Sequence, residues 1–273
     1  MRLILVVCAV FLFQCMCVGI AHAANPNDFQ ARSYTDSGTG NTLPYRLFIP
    51  LNYDPQEQYP LVLFLHGAGE SGTQNDKQIN GNIDNLFNHV KTPEYSSFLL
   101  APQTNSGWYT GGASLSSSLF MTMEVIQELE AEFSIDHTRR YVTGLSMGGG
   151  GTFDMVCKRP DSFAAAVPIC GYGDPGKAGA LVHQPIWAFH AANDGTVPVE
   201  NTQNMIAAIQ AAGGNPLYTE YATGGHGIWG TVYNTPELYD WMYAQATPEP
   251  SAATMLLVGF AMMLGLRVAR RQK

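Results

Sequence analysis

The reading turns on Arg140-Tyr141-Val142-Thr143-Gly144-Leu145-Ser146-Met147-Gly148-Gly149-Gly150-Gly151-Thr152-Phe153. Arg140 to Thr143 predicts a strand, and Met147 to Lys158 predicts a helix stopped by Pro160. Ser146 sits between them on a tight strand-to-helix turn, with Gly144 and Gly148 removing the side chains that would collide there. A serine hydroxyl is a poor nucleophile until a base takes its proton, so such a turn means chemistry only if partners exist elsewhere. Otherwise it is a glycine-rich turn with an incidental serine.

Partners are present, and in a definite order. Acyl transfer at Ser146 would develop a negative oxygen that needs preorganised donors. The backbone N–H of Met147 is one candidate. The other is Ala68, in His66-Gly67-Ala68-Gly69-Glu70, which follows the apolar run Leu61-Val62-Leu63-Phe64-Leu65. His66, ending a buried strand, is expected to orient this loop, with a role as base the alternative. Downstream, Asp194 lies in a turn after the strand Ile186 to His190, where a carboxylate can hold an imidazole's tautomer. Asp174, after the preceding strand, competes for that role. His226, with Gly224, Gly225 and Gly227 around it, follows the last strand and is the candidate base. His89, His137 and His183 lie in polar segments with no strand end before them.

Around these points strands and helices alternate. Phe29 to Thr35 and Leu43 to Pro50 predict a hairpin turning at 36–40. Further strands are expected over 97–102, 164–169, 186–190 and 217–221, and helices over 116–133, 201–212 and 236–246. The segment 69–92 reads as a long loop or short helices. The pattern predicts a single α/β domain with a mostly parallel sheet covered by helices on both faces. It carries no internal repeat.

Both ends of the 273-residue chain read as addresses. Arg2, the apolar run Leu3 to Phe13 and the small-x-small site Ala21-His22-Ala23 predict a signal peptide over 1–23, an N-terminal anchor being the alternative. Thr247-Pro248-Glu249-Pro250-Ser251, an apolar stretch 252–266 and the basic tail Arg267, Arg270, Arg271, Lys273 resemble the PEP-CTERM sorting signal of Gram-negative bacteria. That resemblance implies processing by an exosortase, transient inner-membrane association and export to the cell surface or beyond; a plain tail anchor is the alternative. The domain between, 24–246, holds 21 acidic and 9 basic residues, since Glu249, Arg2, Arg267, Arg270, Arg271 and Lys273 lie outside it. Such an acidic balance argues against nucleic acid as a partner. Cys157 and Cys170 are the only cysteines of that region, and either a disulfide or two buried thiols fits them. No histidine or cysteine cluster has metal-ligand spacing, and no Gly-x-Gly-x-x-Gly opens a dinucleotide unit, so no cofactor is expected.

Tyr45 to Pro50, His66 to Glu70, Gly144 to Gly149, Val167 to Gly171, and Gly225-His226 with Tyr233 and Pro236 to Tyr239 together resemble one family. It is the bacterial "predicted peptidase"/carboxylesterase group of α/β-hydrolases, similar to secreted feruloyl and acetylxylan esterases and polyhydroxybutyrate depolymerases. The resemblance covers about 30–246. It implies a catalytic triad of Ser146, Asp194 and His226, oxyanion donors Ala68 and Met147, and hydrolysis of carboxylic esters, small or on polysaccharide. The alternatives are a serine peptidase of the same fold and an inactive surface module that binds glycans. Trp108, Tyr109 and Trp229 are candidates to stack on a substrate ring, packing being the other reading. Glu70 is a candidate to line the entrance or to support the Ala68 loop.

Overall fold

The computed structural model describes residues 23–248. The predicted address segments 1–23 and 247–273 fall outside it, apart from residues 23, 247 and 248. In chain order the elements are β1 (Gln30–Thr35), β2 (Thr42–Phe48), β3 (Tyr59–Leu65), α1 (Asp84–Val90), β4 (Phe98–Pro102), α2 (Ser117–Glu132), β5 (Ile135–Leu145) and α3 (Met147–Lys158). They continue as β6 (Ala165–Ile169), β7 (Trp187–Ala191), α4 (Glu200–Ala211), β8 (Leu217–Tyr221), α5 (Trp229–Val232) and α6 (Pro236–Tyr243).

The eight strands form one sheet in the order β1-β2-β4-β3-β5-β6-β7-β8. β1 and β2 run antiparallel to their neighbours, and every pairing from β4 to β8 is parallel. Alternate side chains of β3 feed the two cores, because successive residues of a strand point to opposite faces. Leu61, Leu63 and Leu65 pack with α2, α3 and α4, whereas Val62 and Phe64 pack with α1, α5 and α6. A strand buried on both faces reads as an unbroken apolar run, as 61–65 does. Each such side chain withdrawn from water stabilises the fold by about 1.5–3 kcal/mol.

Four elements depart from the sequence reading. β5 begins at Ile135 rather than Arg140, because the register against β3 jumps from Tyr59↔Ile135 to Leu61↔Arg140. The polar residues between them satisfy one another, with Asp136 accepting from the Thr138 N–H and hydroxyl. α6 stops at Tyr243, and the chain then crosses so that the Thr247 N–H reaches the Thr138 carbonyl at 2.9 Å, as suits a residue held extended before Pro248. The predicted loop after β8 contains the short helix α5, and Pro175–Leu181 forms a 3-10 turn.

Cys157 and Cys170 are both free. Cys157 packs on the α2–α3–α4 side and Cys170 lies in the opposite core, so the sheet separates them. Burial above all pushes both thiols up to about 12. Among the described residues no helix is long and apolar enough to cross a membrane.

Candidate active site

β5 delivers Ser146 to the carboxyl end of the parallel strands, the end at which open α/β sheets bind ligands. The turn is sharp: Ser146 has φ 56° and ψ −116°, a conformation that non-glycine residues seldom adopt. Its N–H is fixed by the Ile169 carbonyl at 2.9 Å, across to β6. The two glycines have a steric explanation. A Cβ on Gly144 would lie 2.5 Å from the Gly148 carbonyl oxygen, and one on Gly148 would drive into the Leu65 carbonyl.

β7 and β8 end beside this turn, and their loops carry the other two groups. His226 Nε2 is 2.8 Å from Ser146 Oγ, and His226 Nδ1 is 2.7 Å from Asp194 Oδ2. An ionised Asp194 only accepts, so Nδ1 carries the hydrogen and Nε2 turns its lone pair to the serine hydroxyl. The Asp194 side chain is fully buried, whereas that of His226 is 20% exposed. Burial pushes the Asp194 carboxyl up. The His226 contact and the N–H groups of Thr196 and Val197, at 2.8 and 3.0 Å from Oδ1, outweigh it and hold the carboxyl below the usual aspartate range.

A fourth group joins them that the sequence reading did not assign. His190, at the end of β7 and fully buried, places Nε2 3.1 Å from the same Asp194 Oδ2 and 3.0 Å from the Val197 carbonyl. Both neighbours accept, so Nε2 donates. Its Nδ1 meets the Thr202 hydroxyl at 2.8 Å. The signal lay in the His190-to-Asp194 spacing, but only folding shows that the imidazole turns back on the carboxylate. Cys170 lies close by: its sulfur and the ligand atoms of His190 and Asp194 lie within 4.8 Å of one another. That is a metal-capable set of residue types, which sequence spacing did not reveal. Asp194, however, already receives two imidazoles and two backbone N–H groups, which leaves it little capacity for an ion.

The Ala68 loop follows β3 and packs against the nucleophile turn, where a Cβ on Gly67 would meet Leu145. Ala68 opens a 3-10 turn and Met147 opens α3, positions whose N–H groups have no partner within the helix. His66 braces this loop. Its Nε2 accepts from the Thr104 N–H at 3.1 Å, so the hydrogen sits on Nδ1, which donates to the Gly67 carbonyl at 2.7 Å. Burial pushes the His66 pKa down. Glu70 is buried and accepts from Asn82, whose own carbonyl accepts from the Trp229 indole. The chain Glu70–Asn82–Trp229 thus ties the Ala68 loop to the His226 loop, and Glu70 stands as a support of the loop rather than an entrance residue.

The aromatic candidates divide. Trp229 is half-buried and meets His226 edge-on at 5.6 Å, and the half-buried Tyr109 meets Tyr172 at 5.4 Å. Trp108 is corrected: it is 0% exposed, its indole N–H donates to the His66 carbonyl, and its Cβ lies against Gly151. A ring with no accessible surface cannot stack on a substrate, and the glycine of α3 makes the room for it. Asp174 caps the 3-10 turn by accepting from the Gly176 N–H and lies 3.8 Å from Lys177. Its carboxylate is therefore engaged away from His226.

The mostly parallel sheet, the serine on its tight turn and the imidazole–carboxylate pair behind it define an α/β-hydrolase fold. Residues 37–253 match the esterase family described as "Putative esterase", and the chain belongs to that family. It is 30% identical over 166 residues to "Probable feruloyl esterase C" of Aspergillus terreus, covering 60% of each chain. It is 24% identical over 172 residues to a "Bifunctional acetylxylan esterase/xylanase" of Neocallimastix patriciarum, covering 63% of this chain and 24% of that one. The match spans about 60% of the length of the curated feruloyl esterases. Among solved structures, a thermostable esterase superposes with a TM-score of 0.75 at 40% identity, over 81% of this chain and 64% of the other. A ferulic acid esterase, 15% identical with a TM-score of 0.60 over 79% of this chain and 98% of that one, shares the fold.

Proposed function

We propose that this chain is an exported serine hydrolase that cleaves carboxylic esters through an acyl-serine intermediate. The observation that carries the reading is the 2.8 Å contact of Ser146 Oγ with His226 Nε2, backed by Asp194. Membership of the esterase family and the similarity to feruloyl esterases support an ester as substrate.

The reaction runs in two halves. His226 Nε2 takes the Ser146 proton as Oγ bonds to the ester carbonyl carbon, and the carbonyl oxygen becomes an oxyanion facing the N–H groups of Ala68 and Met147. Collapse breaks the bond to the alkoxy oxygen, which leaves as an alcohol with the proton from His226. Water, giving its proton to His226, then releases the acid and regenerates Ser146. Asp194 fixes the His226 tautomer and stabilises the imidazolium of each half-reaction. Trp229, against His226, and Tyr109 are proposed to border the substrate.

The test is turnover of p-nitrophenyl acetate together with labelling by a fluorophosphonate. The wild type should do both, and Ser146→Ala should lose both. Hydrolysis surviving that substitution would refute the assignment. Equal or faster cleavage of a peptide p-nitroanilide would move the reading to a peptidase, and no labelling at all would move it to a silent binding module. The terminal segments support export, with removal of 1–23 and exosortase processing at 247–273. Mass spectrometry of both ends of the mature protein checks that part.

A further inference from the structure

Two of the groups assigned to the reaction stand on backbone with little support of its own. His226 follows Gly224 and Gly225, at φ 131° and 60°, in a turn that suits glycine and few other residues. Ala68 and Gly69 are exposed, in a 3-10 turn whose two backbone bonds, Glu70 N–H to Gly67 and Ser71 N–H to Ala68, are both 3.3 Å long. A base or an oxyanion donor is useful only when it is held in place, so these two loops need bracing from outside.

Both lean on Asn82. Trp229, in α5 just after the His226 loop, meets His226 edge-on and donates its indole N–H to Asn82 Oδ1 at 2.9 Å. Asn82 Nδ2 donates in turn to Glu70 Oε1 at 2.8 Å. The other Glu70 oxygen lies beside Gly67, where an added Cβ would stand 3.0 Å from it. The Glu70 backbone is fixed as well, its carbonyl accepting from Gln103 Nε2 at 2.9 Å.

The chemistry of this bridge is specific. An indole N–H can only donate, so it selects the Asn82 oxygen, and the Asn82 NH₂ is left for Glu70. A carboxamide carries its donor and its acceptor on separate atoms of one short fork, which an aspartate or a leucine of similar size does not.

The mount is rigid. Ile83, the next residue, is 0% exposed in the core that holds Val62 and Phe64, and it opens α1. Asn85, in the first turn of α1, donates to the Gly230 carbonyl at 2.8 Å and makes a second tie to α5.

We propose that Asn82 is a positioning residue for the reaction, fixing the His226 loop and the Ala68 loop relative to each other through Trp229 and Glu70. This rests on the ester-hydrolase reading above. Asn82 then acts on both halves of the transition state, the base that takes the Ser146 proton and the donor that faces the oxyanion. Its contribution belongs to kcat rather than to KM.

The test compares the full chain with Asn82→Asp and with Glu70→Gln/Asn82→Asp. Aspartate keeps an acceptor for Trp229 but turns a second carboxyl oxygen on Glu70, whereas the added glutamine supplies the missing donor. On p-nitrophenyl acetate, kcat of Asn82→Asp should fall about tenfold to a hundredfold with KM little changed, and the double substitution should recover most of that loss. A wild-type kcat in Asn82→Asp overturns the proposal. So does a loss that the double substitution leaves untouched, which marks a disturbed fold.

Two readouts stand apart from ester cleavage: the rate at which a fluorophosphonate labels Ser146, and the proton resonance of the Trp229 indole N–H, assigned with Trp229→Phe. Asn82→Leu should slow the labelling and move the resonance upfield. A moved resonance with unchanged labelling refutes the positioning role and leaves the hydrolase reading standing. A wild type that labels but cleaves no ester, with labelling slowed in Asn82→Leu, sinks the ester reading and keeps the role of Asn82. A wild type that does not label at all removes both.

Discussion

His190 Nε2 and His226 Nδ1 converge on one oxygen, Asp194 Oδ2, at 3.1 and 2.7 Å, so the carboxylate is gripped by a fully buried imidazole while it grips the one that faces Ser146. With Thr196 and Val197 on Oδ1, Asp194 has almost no freedom to rotate. Replacing His190 by Ala removes one buried donor and leaves space around the carboxylate, which costs about 1–3 kcal/mol in such settings. The expected result is a kcat on p-nitrophenyl acetate roughly tenfold lower with KM little changed, and an altered pH profile of kcat/KM. His190→Gln, which restores an N–H donor, should recover part of the loss. Full activity in the alanine variant would show that Thr196 and Val197 suffice.

Asp194→Asn tests the tautomer argument directly. The carboxamide can turn its NH₂ to His226 Nδ1, leaving the hydrogen on Nε2, where it cannot accept the Ser146 proton. A fall in kcat of about 10⁴ is expected, with the far-UV circular dichroism unchanged. The same carboxyl gives the stability a sign. Its folded-state pKa lies below the unfolded value, so its contribution is complete above about pH 4 and is lost as pH falls through the lower, folded value. Urea midpoints of wild type and Asp194→Asn should therefore converge at strongly acidic pH and separate above pH 4.

His66 supplies a second pH effect at a different window. Burial depresses its pKa, opposed in part by the Gly67 hydrogen bond and the Glu70 charge, and Nε2 must stay unprotonated to accept from Thr104. The unfolded chain binds a proton near pH 6.5 while the folded one resists it, so stability falls as pH drops below about 6.5. Denaturant midpoints measured at pH 7.5 and 5.5 should differ more for the wild type than for His66→Gln. Equal differences would remove His66 as the cause.

Trp108→Ala should behave as a core substitution, costing about 3–5 kcal/mol of stability. Any loss of Vmax for p-nitrophenyl acetate should track the unfolded fraction with KM unchanged, as thermal denaturation and active-site titration together report. A large rise in KM in a fully folded variant would return Trp108 to the substrate.

Gly148→Ala isolates the backbone approach at the nucleophile turn. The added methyl meets the Leu65 carbonyl, which belongs to the centre of the sheet and cannot yield as a flexible side chain does. A loss of about 3 kcal/mol and near-complete loss of activity are expected. An alanine variant that melts like the wild type would contradict the close approach.

The sequence by itself determined the strand end, tight turn and helix around Ser146, because those follow from apolar runs and from sterics within five residues, and the family resemblance pointed to Asp194 and His226 downstream. Met147–Lys158 and Leu217–Tyr221 were legible to the residue for that reason. The tertiary structure alone decided what depends on partners far along the chain. His190 closes on Asp194 only when β7 and its loop are folded. Trp108 is buried because α3 offers Gly151, and the two cysteines are parted by a sheet that neither residue encodes. The irregular start of β5 was hidden because polar residues that satisfy one another leave no hydrophobic pattern. Burial and hydrogen-bond partnership are properties of the packed whole, and at Asp194 they turn a loop aspartate into the fixed point of the site.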